Sequence, residues 1–209
     1  RVRRQRQMCI RDRTGTTLRV GYDKLKNYIY LGLQNQRVAD GDNYLTKGVD
    51  VQVRQHGGNV GIFTAQLEQN LQFGILHWNS RLTYQKSGDE EVIALPALNI
   101  YTNLFLRFKI ARVLQCDLGG DLRWFTKYYA PEYIPGLSTF GMQETADSKT
   151  KVGGYPLANI YANFNLKHTR FFVMMSHINA SSGGDYFLTP HYPLNGRIFR
   201  FGVSWNFFN

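Results

Sequence analysis

Eight stretches of this 209-residue chain run eleven residues or more, and in seven of them apolar and polar residues alternate with a period of two. They are residues 16–33, 60–73, 75–85, 97–110, 112–128, 157–167, 169–179 and 197–208. A period of two places successive side chains on opposite faces of a β-strand, so each stretch reads as a strand with one apolar and one wet face. In the last, Phe199, Phe201, Val203, Trp205 and Phe207 oppose Arg200, Gly202, Ser204 and Asn206. In the stretch 97–110, Leu98, Ile100, Leu104, Leu106, Phe108 and Ile110 oppose Asn99, Tyr101, Asn103, Phe105, Arg107 and Lys109. Stretch 169–179, containing FFVMMSHIN, is apolar on both sides and assigns neither face.

The connections alternate long and short along the whole chain, with the short ones at Gly74, Ala111 and His168. Stretch 16–33 is read as one strand, because folding it into a hairpin at residues 23–26 would disturb that alternation. Val49, Val51 and Val53 read as a short strand projecting from the first long loop, and residues 129–156 as one long connection. Alternation alone does not say which face is inside, since a soluble antiparallel sandwich would bury the apolar one. Strand length favours lipid outside: about nine to eleven residues cross a tilted bilayer, whereas a soluble strand averages about five or six. Asymmetric loops, aromatic residues at strand ends and wet faces rich in Asn, Gln, Tyr and Arg point the same way. The expected fold is an all-β, antiparallel transmembrane β-barrel with about eight long strands present.

The net charge of +10 invites a nucleic-acid partner, but half of that excess lies in residues 1–13. There, Met8-Cys9-Ile10-Arg11-Asp12-Arg13 resembles the translated end of a sequencing-library adapter. Residues 1–13 are therefore set aside as a non-native read-through, and residues 14–209 are left to carry the fold. Without a clustered basic footprint no nucleic-acid partner is expected. Setting Cys9 aside leaves Cys116, flanked by Leu114 and Leu118, as a small hydrophobe, and no disulfide is proposed. No stretch has the eighteen or so consecutive apolar residues of a membrane helix, so a membrane span must be β.

Two resemblances sharpen this. Arg200, Gly202, Trp205 and Phe207 resemble the C-terminal assembly signal of bacterial outer-membrane barrels, with Phe208 and Asn209 following the expected last aromatic. On a larger scale, LQFGILHWNSRLTYQKS (71–87), RWFTKYYAPEY (123–133), GGYPLANIYANFNLKHTRFFVMM (153–175) and YFLTPHYPLNGRIFRFGVSWNFF (186–208) resemble the C-terminal part of the putative porin family of Bacteroides-type outer membranes. The resemblance implies an outer-membrane β-barrel of a Gram-negative bacterium and passive solute passage. Members of that family are longer, so it also implies that residues 14–209 are the C-terminal portion of an outer-membrane barrel, a fragment of a larger one. The barrel-assembly machinery, outer-membrane lipid and small solutes are the implied partners; the oligomeric state is left open.

No chemistry-bearing motif competes with that expectation. His56, His77, His168, His177 and His191 are scattered without metal-ligand spacing. Glu90 and Glu91 are adjacent in a charged loop, and Gly57-Gly58 and Gly183-Gly184 lack the strand and helix context of a phosphate loop. No Ser/His/Asp arrangement is defensible, so neither an enzyme nor a cofactor is expected. The candidate pore-lining residues are Arg81, Arg107, Lys109, Asp117, Asp121, Arg123, Lys127, Lys167 and Arg200. Basic rings lower the barrier to anions, so a water-filled channel with a weak anion preference is the first expectation. These charges could equally brace the barrel wall against one another. The rival function is a non-conducting anchor or adhesion scaffold, plugged by inward side chains such as Tyr101, Phe105 and Tyr161.

Overall fold

A computed structural model of the chain describes residues 2–11, 15–40, 43–144, 149–180 and 186–206. Nine long strands form one antiparallel sheet: β1 (Val2–Arg11), β2 (Thr16–Lys26), β5 (Asn59–Phe73), β6 (Leu76–Ser87), β7 (Leu98–Ile110), β8 (Leu114–Phe125), β11 (Leu157–Leu166), β12 (Thr169–Ser176) and β15 (Ile198–Trp205). A second sheet, in the order β4-β3-β10-β9, contains β3 (Ile29–Asp40), β4 (Asn43–Gln55), β9 (Glu132–Ile134) and β10 (Thr139–Gln143). A small hairpin joins β13 (Phe187–Thr189) to β14 (Tyr192–Pro193). Among the described residues no helix is long and apolar enough to cross a membrane.

The large sheet is open. Its strands follow chain order from β1 at one edge to β15 at the other, and no described pairing joins the two edges. The all-β antiparallel class expected from the sequence is present, whereas a closed ring is not. The alternating connections are. Tight turns stand at Gly74 (φ 60°), at Ala111 and Arg112 (φ 50° and 62°) and at Lys167 (φ 50°), all in the left-handed region that lets the chain reverse within a few residues.

Two expectations are corrected. Stretch 16–33 is not one strand, since it breaks between β2 and β3 at Asn27 (φ 51°) without reversing direction. The Asn27 N–H donates to Gly58 O (2.8 Å) and the His56 N–H to Tyr28 O (2.8 Å), so both arms of one long hairpin break together. β2 and β5 stay in the large sheet, while β3 and β4 leave it as a projecting ribbon that includes Val49, Val51 and Val53. The second correction concerns residues 112–128 and 129–156. β8 spans only Leu114–Phe125, and the following connection holds β9, a 3-10 turn at Pro135–Leu137, and β10.

Residues opposite one another in a ladder share a face, so each face can be followed across the sheet. From Arg200 the polar face runs through Met174, Tyr161, Gly119, Phe105 and His77 to Gln72. From Phe201 the apolar face runs through Val173, Ala162, Leu118, Leu106 and Leu76 to Phe73. This settles the two-faced stretch: Phe171, Val173 and Met175 join the apolar side, and Arg170, Phe172 and Met174 the polar side.

Among the described residues no second layer covers the apolar face. Phe201 is 76% exposed and Trp205 62%, where a soluble domain would bury such residues against another sheet or helix. Cys116 is fully buried on this face, opposite Phe108 on one side and Phe164 on the other. Polar groups within the apolar band answer one another: Thr16 Oγ1 donates to Gln69 Oε1 (2.9 Å), and Trp78 Nε1–H donates to Thr102 Oγ1 (2.8 Å). Such pairing is what a hydrocarbon surround demands, because it offers polar groups no water.

Candidate functional site

The polar face is the candidate site. Seven of the nine sequence-selected residues stand on it within strands: Arg81 on β6, Arg107 and Lys109 on β7, Asp117, Asp121 and Arg123 on β8, and Arg200 on β15. Lys127 lies beyond the end of β8, at the loop end, and Lys167 occupies the tight turn after β11, at the opposite end. Of the assembly-signal residues, Arg200, Gly202 and Trp205 belong to β15, while Phe207 lies outside the described residues. Gly202 has a local reason as well, because the Phe172 ring lies where a β-carbon would stand.

Hairpin register brings the charges together. Arg107 and Asp117 face each other across the β7–β8 turn in a bidentate pair, Nε–Oδ1 2.8 Å and Nη2–Oδ2 2.9 Å. That geometry is the strong form of a charge-assisted hydrogen bond. The expected lattice stops there, however. Arg123 Nε is 4.0 Å from Asp121 Oδ1, whereas Asp121 accepts a 3.0 Å hydrogen bond from Asn159 Nδ2. A second charge centre escaped the sequence reading. Glu68 on β5 accepts from Arg81 Nε (2.9 Å), Arg19 Nη1 (3.1 Å) and Gln66 Nε2 (2.7 Å). Glu68 and Arg81 sit directly opposite in the hairpin around Gly74, so counting back from that turn would have found them.

Other cations on this face have no carboxylate partner among the described residues: Lys109, Arg200 and Arg170, whose Nη2 donates to Asn163 Oδ1 (2.9 Å). Arg170 was hidden in the sequence by the two-faced stretch that follows it.

The bulky side chains of the face lie along the wall. Phe105 is 7% exposed and stacks on His77 with ring centroids 4.9 Å apart. Gly119 lies opposite it, and a β-carbon there would collide with the Phe105 backbone and Cβ. The Arg107 guanidinium covers the same ring at 5.2 Å. Tyr161 donates to Asn103 Oδ1 (2.8 Å), and Arg123 sits over the Tyr101 ring at 5.4 Å.

At the loop end, the connection after β8 reaches the ribbon of β3 and β4. β10 adds in parallel to β3, pairing Met142 with Gly32 and Gln143 with Leu33. Glu144 completes the joint through Arg54 (Nε–Oε1 3.2 Å, Nη2–Oε2 3.0 Å) and Gln34 Nε2 (3.1 Å). Its hydrogen bond and charge hold the Arg54 guanidinium above its ordinary pKa. Burial, and next the Glu144 carboxylate, push the Tyr30 phenol up. No group of three or more metal-ligating side chains occurs among the described residues.

Comparison with known proteins matches this wall. Residues 7–209 match the family described as Putative porin. No curated protein matches the chain. Among solved structures the fold is similar to that of the siderophore receptor PirA from Acinetobacter baumannii, with a TM-score of 0.53 and 14% sequence identity. That likeness covers 95% of this chain and 30% of the receptor, so the chain spans less than a third of the protein it resembles. At this identity the likeness concerns the fold alone, an antiparallel β-wall like that of a barrel receptor.

Proposed function

Because the chain belongs to the family described as Putative porin, we propose that it forms part of an outer-membrane β-barrel whose polar face borders a water-filled channel for passive diffusion of small solutes. The observation that carries this is the posture of the bulky residues on that face. Phe105, Tyr101 and Tyr161 lie against the wall, each fixed by Gly119 and His77, by Arg123, or by Asn103, and leave the space in front of them to water. The opposite face, with its exposed Phe199, Phe201, Val203 and Trp205, meets lipid. In keeping with that family description, the protein acts as a channel rather than an enzyme. Arg200, Gly202, Trp205 and Phe207 serve as the signal to the barrel-assembly machinery, in an envelope of the Bacteroides type.

A weak anion preference follows from the charge arrangement. Arg107 is neutralised by Asp117, and Glu68 offsets Arg19 and Arg81, so these brace the wall. Lys109, Arg170 and Arg200 face no carboxylate among the described residues and lower the barrier to anions. The test is single-channel conductance of the full-length protein in a planar bilayer. Steady conductance with a reversal potential shifted toward anions is expected, and Lys109→Glu with Arg200→Glu should move it toward cations. A heat-modifiable barrel that inserts and never conducts overturns the channel. It would favour an anchor or adhesion scaffold, for which the β4-β3-β10-β9 sheet at the loop end is a structured surface.

A further inference from the structure

At the loop end of the polar face, the chain after β8 and the β13–β14 hairpin fold over the ends of β7, β8 and β11. They border a half-open cavity of about 470 Å3. Asn99, Arg123, Phe125 and Leu157 form its strand side, while Val152 to Tyr155 and Tyr186 to Leu188 form the cover.

The cover is held in place before any ligand arrives. Tyr128 and Val152 exchange both backbone hydrogen bonds at 3.0 Å, and the Gly154 N–H donates to Phe125 O at 2.7 Å. His177 Nδ1 donates to the Asn195 carbonyl at 2.7 Å, and its Nε2 lies 2.8 Å from the Tyr155 hydroxyl. That hydroxyl donates to Asn179 O at 2.9 Å, and the Tyr155 ring stacks on Tyr186 with centroids 3.4 Å apart. Gly153 (φ 104°) and Gly154 (φ 78°) have left-handed backbones, and a β-carbon at either would strike Phe125 or Lys127. Only glycine lets this segment lie so close to the wall.

The charges in this cavity are one-sided. Arg123, Lys127 and Lys151 line it, and no carboxylate does among the described lining residues. Arg123 retains its loose approach to Asp121, but Lys127 and Lys151 have no ion-pair partner among the described residues, the Lys151 ammonium lying over the Tyr129 ring at 4.8 Å. Lys149, two residues before Lys151, is different: it lies 3.9 Å from Glu91. Between the cations the surface is apolar and aromatic, supplied by Phe125, Leu157, Leu188, Leu194 and the stacked tyrosines.

We propose that this cavity binds an organic anion built on a flat apolar ring, the class of aromatic carboxylates. Lys127 and Lys151 hold the carboxylate, and the aromatic and leucine surfaces receive the ring. A bare inorganic anion gains nothing from those surfaces, and a neutral ring gains nothing from the cations. The site rests on the reading of the polar face as water-facing and deepens it by naming a solute class.

Calorimetric titration of the full-length protein in detergent tests this, with 2-naphthoate as probe and 2-naphthamide and inorganic phosphate as controls. Naphthoate should bind saturably, and naphthamide and phosphate each roughly tenfold more weakly or not at all. The double variant Lys127→Gln/Lys151→Gln should weaken naphthoate by about tenfold or more, while Arg112→Gln, in the β7–β8 turn at the far end of the wall, should leave it unchanged. Naphthoate that fails to saturate, phosphate that binds equally well, or a double variant that binds like the parent each overturn the proposal. Binding is read without conduction, so the two readings fail separately. Naphthoate binding by a barrel that never conducts keeps the site and removes the channel; conduction without naphthoate binding does the reverse.

Discussion

Gly119 shows how much of the polar face depends on single residues. Its missing β-carbon lets Phe105 lie across the neighbouring strand instead of standing away from the sheet. Gly119→Val should lower stability by about 1–3 kcal/mol through overpacking, seen as a shifted urea midpoint of the heat-modifiable band. Gly136→Ala, at a position with nothing within 4 Å, should change it by no more than about 0.5 kcal/mol. The residue-level pattern was readable wherever a tight turn fixes the register. Arg107 and Asp117 flank such a turn, and their pairing follows from it. Glu68 was equally within reach, since it stands directly opposite Arg81 in the hairpin around Gly74. Arg170 stands opposite Asn165 across the turn after β11 and was within reach by the same count, although the apolar run that follows it hides the alternation.

Among the elements, the joint between β10 and the ribbon of β3 and β4 is the least visible in the sequence. The five residues of β10 are too few to show a period. The break at Asn27 lies in the run Lys-Asn-Tyr, without the Gly or Pro that usually punctuates a strand. The long strands, by contrast, were legible because their alternation outlasts any local irregularity. Glu144 is the link on which the joint depends, with bonds to Arg54 and Gln34. Glu144→Ala should speed proteolysis of the connection between β8 and β11 by roughly five- to tenfold, as expected when a charged hydrogen-bond centre is lost from a locally opening unit. Limited proteolysis of the protein in liposomes measures this, and the heat-modifiable shift of the barrel itself should not change.

For the molecule as a whole, the division into two faces predicts which positions water reaches. In a Cys9→Ser background, Ser204→Cys on the polar face should react with a membrane-impermeant maleimide in liposomes. Val203→Cys, one residue away on the apolar face, should react at least about tenfold more slowly because hydrocarbon shields it. Equal rates would mean that the apolar face is wet. Faces were legible in the sequence because side-chain direction has a period; closure was not, because alternation never says which strand stands beside an edge such as β15. The order of the large sheet has a further consequence, one of timing. Each ladder joins a strand to the next strand of that same sheet along the chain, so the wall can grow hairpin by hairpin, each in about 1–10 μs in the manner of isolated hairpins. The bond between Gln34 and Glu144 spans 110 residues and must wait for both of its arms. The wall therefore forms early, and the joint at its loop end takes shape after it.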